Sequence, residues 1–229
     1  MFTFSSKITR SEKLADNTVG VWFEKPVGFD FQPGQFVNVK LTQDEVSISH
    51  CMTIASAPYE PELFVAARLT GTAYKNIFEK LKKDDMINFS APFGSFILQE
   101  SDRSAVFIAG GIGITPFRSI LKNAEQQKST QTFFLFYFNK TKSGATFFDE
   151  LNTLQLPNYK FIPVTTEDID WPGERGYLTE SLLKKHLPEL SSDYYVVGPP
   201  RMVKESVALL NKLSIPNEQI KSEEFIGYN

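Results

Sequence analysis

The pattern of hydrophobic and polar positions divides the chain into two halves with different periodicities. In the first hundred residues, short runs rich in β-branched and aromatic residues lie at 18–24, 35–41 and 63–69. Such runs are typical of strands, and turn-forming pairs such as Pro33-Gly34 separate them. Closely spaced short strands predict an antiparallel barrel or sandwich, interrupted here by one helical pattern at 72–82.

After Ser104 the pattern changes to alternating strands and helices. Mostly apolar runs that predict buried strands lie at 105–109, 132–138, 159–164 and 194–198. Helical spacing follows each of them, which predicts βαβ units and a mostly parallel sheet. We therefore predict two domains, an N-terminal antiparallel β-barrel at 1–100 and an α/β parallel-sheet domain at 101–229.

A glycine-rich turn joins the first strand of the second half to a helix. Gly110, Gly111 and Gly113 follow the apolar run, and Pro116 suits the first turn of a helix. Backbone N–H groups that converge at such a turn attract phosphate. The same turn is also compatible with tight packing alone, since Pro116 replaces the third glycine of the Rossmann fingerprint.

Composition and charge limit the classes of partner. The net charge of the 229 residues is −3, so we expect no nucleic acid and no anionic membrane as partner. No apolar run approaches the ~18 residues of a membrane helix, and the start of the chain lacks the apolar core of a signal peptide. The single cysteine, Cys51, cannot supply the four thiolates of an iron–sulfur cluster. We expect a cytoplasmic protein without a metal site.

A series of short motifs, taken together, resembles the ferredoxin–NADP reductase superfamily. In that family a β domain that binds FAD precedes a Rossmann-like α/β domain that binds a nicotinamide nucleotide. The similar segments occur in the family's order along nearly the whole chain, at 33–36, 50–58, 71–74, 91–96, 111–116, 198–200 and 223–225. The resemblance implies an FAD-dependent NAD(P)H oxidoreductase.

The resemblance also implies a set of flavin-binding residues. Where family members carry an arginine for the FAD phosphate and a tyrosine stacked on the isoalloxazine ring, this chain has His50 and Met52. Thr53 keeps the hydroxyl that family members place near flavin N5, and Tyr74 replaces a small Ser or Thr. The implied FAD-binding residues are His50, Cys51, Met52, Thr53, Gly71, Thr72, Ala73 and Tyr74.

Two further predictions concern Cys51 and Met52. Cys51 is expected to be a small buried side chain rather than a reactive thiol. If Met52 faces the flavin, Met52→Tyr is expected to tighten flavin binding by up to about tenfold, because an aromatic pair adds roughly 0.5–1.5 kcal/mol. A pocket already closed around methionine would instead be overpacked by the larger ring.

For the nicotinamide nucleotide the resemblance implies residues at the ends of strands and beside the last strand. They are Gly111, Gly113, Thr115, Asn139, Lys140, Gly198, Pro199 and Phe225. The run 165–167 lacks the arginine that NADPH-specific members carry there, which favours NADH over NADPH.

Catalytic roles are implied for Thr53, Glu223 and Phe225. Thr53 would hydrogen-bond near flavin N5, Glu223 would tune that region, and Phe225 would cover the flavin face. Taken alone, the same residues are also compatible with a strand hydroxyl, a solvated acid and a core aromatic.

Three functions follow from the resemblance and from the departures. The first is a reductase that passes electrons to a separate acceptor, such as a ferredoxin, a flavodoxin or an oxygenase component. The second is an NAD(P)H:flavin reductase that uses free flavin as its substrate. The third is a non-catalytic sensor that binds flavin or nucleotide, because His50, Met52 and Val197 replace the family's arginine, tyrosine and cysteine.

Overall fold

The structure, a computed structural model, describes residues 3–43 and 46–225. The chain divides into two compact units. Of the described residues, the first unit contains those up to Leu98 together with Thr115–Asn123, and the second contains Gln99–Ile114 and those from Ala124 to Phe225. Each unit is described by itself.

The described part of the first unit forms a six-stranded antiparallel sheet and a short helix. Its elements are β1 (Thr3–Ala15), β2 (Thr18–Glu24), β3 (Phe36–Gln43), β4 (Val46–Thr53), β5 (Glu62–Arg68), α1 (Ala73–Glu79) and β6 (Met86–Phe93). The strand order is β4-β3-β6-β1-β2-β5. Just after β4, the Ala55 N–H donates to the carbonyl oxygen of Phe64 in β5 at 2.7 Å, which brings the two outer strands together as in a barrel.

Side chains alternate between the core and the outside along β3 and most of β4. Val37 and Val39 of β3 are fully buried and pair with Met52 and His50 of β4, so these four side chains share the core face. Helix α1 adds Tyr74 and Phe78, which are the residues it buries, to this core.

The described part of the second unit forms a parallel sheet with helical connections. Its strands are β7 (Ala105–Gly110), β8 (Phe133–Asn139), β9 (Tyr159–Thr165), β10 (Glu174–Arg175), β11 (Asp193–Gly198) and β12 (Ile220–Glu224). Its helices are α2 (Thr115–Gln126), α3 (Phe148–Asn152), α4 (Glu180–His186) and α5 (Pro200–Lys212), and the first nine residues of α2 are grouped with the first unit.

The strand order of the parallel sheet is β10-β9-β8-β7-β11-β12. Every residue of β7, β8 and β11 is buried, which explains their nearly continuous apolar sequences. Apart from β10, the order corresponds to the 3-2-1-4-5 arrangement of doubly wound sheets, whose switch point lies between the first and fourth strands. That point is here the pair β7 and β11. The predicted class, an antiparallel β domain followed by a parallel α/β domain, is confirmed.

No helix in the described ranges is long and apolar enough to cross a membrane.

Candidate functional site

Glycines meet at the switch point of the parallel sheet. A Cβ atom on Gly113 would lie 2.5 Å from the carbonyl oxygen of Val197, and a Cβ on Gly198 would lie 3.1 Å from the Cα of Gly110. Only glycine lets these backbone segments approach so closely. Gly111 has a φ of +53°, a conformation that also favours glycine. The predicted nucleotide-binding glycines therefore line the point where doubly wound sheets bind ligands, and this cradle fits a dinucleotide.

Two residues beside these turns differ in exposure. Thr115, the first residue of α2, is buried, whereas Pro199, between β11 and α5, is exposed.

Glu223 and Phe225 lie at the carboxyl end of β12, beside β11. Glu223 pairs with Val197 in parallel register, and the Phe225 N–H donates to the carbonyl oxygen of Gly198 at 2.9 Å. Both side chains are half-buried, and burial raises the pKa of the Glu223 carboxyl. Three predicted site residues, Gly198, Glu223 and Phe225, therefore meet at one edge of the sheet.

Asn139 and Lys140 follow the carboxyl end of β8. The Asn139 side chain is buried, and in the described parts of the chain its Oδ1 has no hydrogen-bond partner. A ligand hydroxyl or amine would satisfy this oxygen. Lys140 Nζ lies 2.8 Å from Glu167 Oε1, and the N–H of Glu167 donates to the carbonyl oxygen of Lys140 at 2.9 Å. The loops that follow β8 and β9 are thus held together, with an acid beside the predicted lysine.

In the first unit, three predicted flavin contacts pack against one another. The Tyr74 ring stacks on the His50 ring with centroids 3.8 Å apart and an interplanar angle of 15°. The Tyr74 hydroxyl lies 3.2 Å from Met52 Sδ and 3.4 Å from the carbonyl oxygen of Val39. All three side chains are buried. Burial, together with the positive charge of Lys75, lowers the pKa of His50, which favours a neutral imidazole at pH 7.

Cys51 corrects one expectation from the sequence. Its side chain is exposed, because it alternates along β4 with His50 and Met52, which face the core. The prediction of a buried cysteine is therefore wrong. Thr53, the last residue of β4, is buried and pairs with Phe36 of β3.

The segment before α1 leaves one side-chain hydroxyl without a hydrogen-bond partner in the described chain. Gly71 has a φ of +77°, and no atom lies within 4 Å of the position that a Cβ would occupy. The Thr72 hydroxyl is buried and has no hydrogen-bond partner in the described chain, although Thr72 is the N-cap residue of α1. Ala73 is exposed. An orphaned hydroxyl beside open space fits the predicted role of this segment in holding a polar ligand.

An ion pair between the buried Arg118 and the partly buried Glu60, which the sequence did not reveal, supports the segment after β4. Arg118 donates to both carboxylate oxygens of Glu60, at 2.9 and 3.1 Å, and to the carbonyl oxygen of Ala55 at 2.7 Å. The Ser119 hydroxyl donates to the carbonyl oxygen of Ser56 at 2.7 Å. The signal in the sequence was an arginine beside the apolar face of a helix. Its role depends on contacts far along the chain.

Across residues 3–43 and 46–225, no three His, Cys, Asp or Glu side chains are arranged to hold a metal ion.

Both halves of the chain match models of known protein families. Residues 3–134 match the model of a family described as FAD-binding domain, and residues 107–207 match the oxidoreductase NAD-binding domain.

Similar proteins include electron transfer components of oxygenases. The anthranilate 1,2-dioxygenase electron transfer component of Acinetobacter baylyi is 29% identical over 205 residues, which cover 87% of this chain and 60% of that protein. The reductase component of propane 2-monooxygenase from Rhodococcus jostii is 27% identical over 233 residues, covering 96% and 63%. The chain thus spans less than two thirds of the length of these relatives.

A solved structure shares the fold along nearly the whole chain. A ferredoxin NADP+ reductase from Neisseria gonorrhoeae with bound FAD and NADP superposes with a TM-score of 0.86 at 24% identity, covering 97% of this chain and 98% of that one.

Proposed function

This chain belongs to the ferredoxin–NADP reductase superfamily, with a FAD-binding domain and an oxidoreductase NAD-binding domain, and we propose that it transfers electrons from NAD(P)H through FAD to a separate acceptor. The observation that carries the proposal is the edge of the parallel sheet where Gly113, Gly198, Glu223 and Phe225 meet. We assign FAD binding to residues 1–100 and nucleotide binding to residues 101–229.

When bound, the nicotinamide and the flavin supply the hydride and electron chemistry, and the protein binds and orients them. The glycines at the switch point let the backbone approach a dinucleotide closely. The half-buried Glu223 holds a proton more readily than an exposed glutamate does, because burial raises its pKa. Phe225 is positioned by its backbone bond to Gly198, which fixes an aromatic side chain beside the glycine turn.

The proposed flavin contacts of the first unit form two groups, one exposed and one buried. Gly71 and Ala73 are exposed and the Thr72 hydroxyl lacks a partner in the described residues, which supports contact between this segment and the cofactor. Thr53 remains our candidate for the hydroxyl near flavin N5. His50, Met52 and Tyr74 face the core, so we propose that they support the site from within.

The similar oxygenase components suggest the class of acceptor. Two of them are described as an electron transfer component and a reductase component of oxygenases. We propose that this chain likewise reduces a partner protein, either an oxygenase component or a small electron carrier such as a ferredoxin or flavodoxin.

A second candidate is an NAD(P)H:flavin reductase that takes free flavin as its substrate. It is favoured by Met52, which is buried and replaces the aromatic residue that would hold the isoalloxazine. Weak retention of flavin suits a substrate better than a resident cofactor.

For the nucleotide we propose NADH rather than NADPH. The ion pair of Lys140 with Glu167 neutralises the lysine that would otherwise attract a 2′-phosphate. An acid at this place also suits the free ribose diol of NADH.

The visible spectrum of the purified, gel-filtered protein tests this proposal. A yellow protein that releases FAD on denaturation supports a resident cofactor. Colourless protein that oxidises NADH only when riboflavin is added supports the flavin reductase instead. Protein that binds no flavin and oxidises neither NADH nor NADPH contradicts both.

A further inference from the structure

Lys75 is a half-buried lysine on α1 for which the described residues offer no carboxylate partner. Glu79 lies four residues further along the helix, the usual spacing for an ion pair, yet no carboxylate oxygen of the described residues lies within 4.0 Å of Lys75 Nζ. The ammonium instead lies 5.7 Å from the centre of the Tyr74 ring, near the outer limit of about 6 Å for a cation–π contact.

A half-buried ammonium without an anion is unfavourable in the protein alone. Consistent with this, burial lowers the pKa of Lys75. The nearby His50 adds no second charge at neutral pH, because its own pKa is lowered by burial and by Lys75. Of the neighbouring residues Lys75, His50 and Tyr74, Lys75 therefore carries the positive charge.

Thr72 provides a second unused group three residues before Lys75. Thr72 is the N-cap residue of α1 and Lys75 is its third residue, two positions whose side chains lie beside each other at the first turn of a helix. The hydroxyl is buried, caps no N–H of α1 and has no partner in the described chain. Beside it, no atom lies within 4 Å of the position of a Gly71 Cβ. A hydroxyl donor, an ammonium and open space together suit a phosphate group.

We propose that Lys75, beside the predicted flavin contact Thr72, binds the phosphate groups of the flavin nucleotide, so that Lys75 rather than His50 supplies the positive charge for them. This inference rests on the proposed function, since it requires that the chain binds a flavin nucleotide. It adds a binding residue that the motifs in the sequence did not reveal.

The test compares three flavins that differ in phosphate content. Apoprotein is titrated with FAD, FMN and riboflavin, and binding is followed by quenching of flavin fluorescence. Lys75→Met is expected to weaken FAD and FMN binding about 10- to 100-fold, the range for loss of a hydrogen bond to a charged group. Binding of riboflavin, which carries no phosphate, is expected to change less than about twofold.

Two further variants control for charge and for folding. Lys80→Met removes an exposed lysine at the other end of α1 and should leave all three affinities unchanged. Lys75→Arg keeps the charge and should retain most of the affinity for FAD. Because the charge is disfavoured in the empty site, Lys75→Met apoprotein should unfold at a temperature no lower than the wild type.

The outcomes separate this inference from the proposed function. Wild-type affinity of Lys75→Met for FAD, or equal losses for FAD and riboflavin, overturns the inference and leaves the proposed function standing. A less stable Lys75→Met apoprotein with all flavins weakened also overturns it, because the role of Lys75 is then structural. If the wild type binds none of the three flavins, the proposed function fails and this inference fails with it.

Discussion

The Tyr74 hydroxyl lies 3.2 Å from the sulfur of Met52, and both side chains are buried in the core of the first unit. These are two of the positions at which the chain departs from the motifs of its superfamily. The tyrosine ring that the family carries on the strand is replaced by methionine, and the small residue of the helix is replaced by tyrosine. The two departures are therefore in contact with each other, and both side chains fill space in the buried core.

Met52→Tyr is therefore expected to destabilise the first unit. A second ring would overpack the site beside Tyr74, at a cost of roughly 1–3 kcal/mol, and flavin affinity should not rise. This replaces the expectation from the sequence that the substitution tightens flavin binding. Urea unfolding and FAD titration of the variant measure both effects.

The matched control is the double variant Met52→Tyr with Tyr74→Ser, which removes the competing ring and should recover part of the lost stability. If Met52→Tyr alone is as stable as the wild type and binds FAD more tightly, Met52 and Tyr74 are not packed against each other as described.

Gly113→Ala is expected to disrupt the nucleotide cradle. Its Cβ would lie 2.5 Å from the carbonyl oxygen of Val197, and a backbone neighbour has no alternative rotamer. We expect a loss of roughly 1–3 kcal/mol in the free energy of unfolding and at least tenfold weaker NADH binding. Thermal unfolding and calorimetric titration with NADH measure these changes.

Gly28→Ala is the control for a glycine substitution in open space, since no atom lies within 4 Å of its Cβ position. Its positive φ should lower stability without changing the affinity for NADH. Equal effects on NADH binding in both variants would contradict the assignment of the cradle.

Local patterns in the sequence predicted the fold class, because strand and helix periodicity is set by neighbouring residues. The glycine turns were predictable for the same reason, and the sheet places Gly113 and Gly198 together. The orientation of Cys51 was not predictable, because a short motif does not define which face of β4 meets the core. The partners of Arg118 were not predictable either, since Glu60 lies 58 positions away in the chain. The individual roles of the site residues remain predictions.

Glu60 should make the first unit sensitive to acid. Burial alone would raise the pKa of Glu60, but Arg118 and the N–H of Ala57 outweigh it and lower the pKa below the ordinary value of 4.5. The stabilisation from Glu60 is thus present above that value and is lost as the pH falls through the lowered pKa. Glu60→Gln should cost about 3 kcal/mol near pH 7, because it leaves the buried guanidinium of Arg118 without the carboxylate that pairs with it.

Urea unfolding between about pH 3 and pH 7 checks this prediction, because carboxyl groups titrate within this range. The difference between wild type and Glu60→Gln should shrink as the solution becomes acidic. Glu12→Gln, which removes an exposed partner of Arg10, should change stability by less than about 0.5 kcal/mol. A Glu60 effect that does not depend on pH would contradict the role of its charge.

Glu167→Arg should shift the preference from NADH towards NADPH. The substitution removes the acid that neutralises Lys140 and adds a second cation suited to a 2′-phosphate. We expect the ratio of kcat/KM for NADPH to that for NADH to rise about tenfold or more. Glu189→Arg adds the same charge at another exposed position and should leave the ratio unchanged. An unchanged ratio in Glu167→Arg would place the adenosine ribose elsewhere.

Anaerobic addition of NADH to protein loaded with FAD tests the central proposal most directly. If the chain transfers electrons from a nicotinamide nucleotide to its flavin, the visible flavin absorbance should bleach rapidly, and faster than that of free FAD at the same concentration. FAD-loaded protein that keeps its full visible absorbance in excess NADH and in excess NADPH would contradict the proposed function.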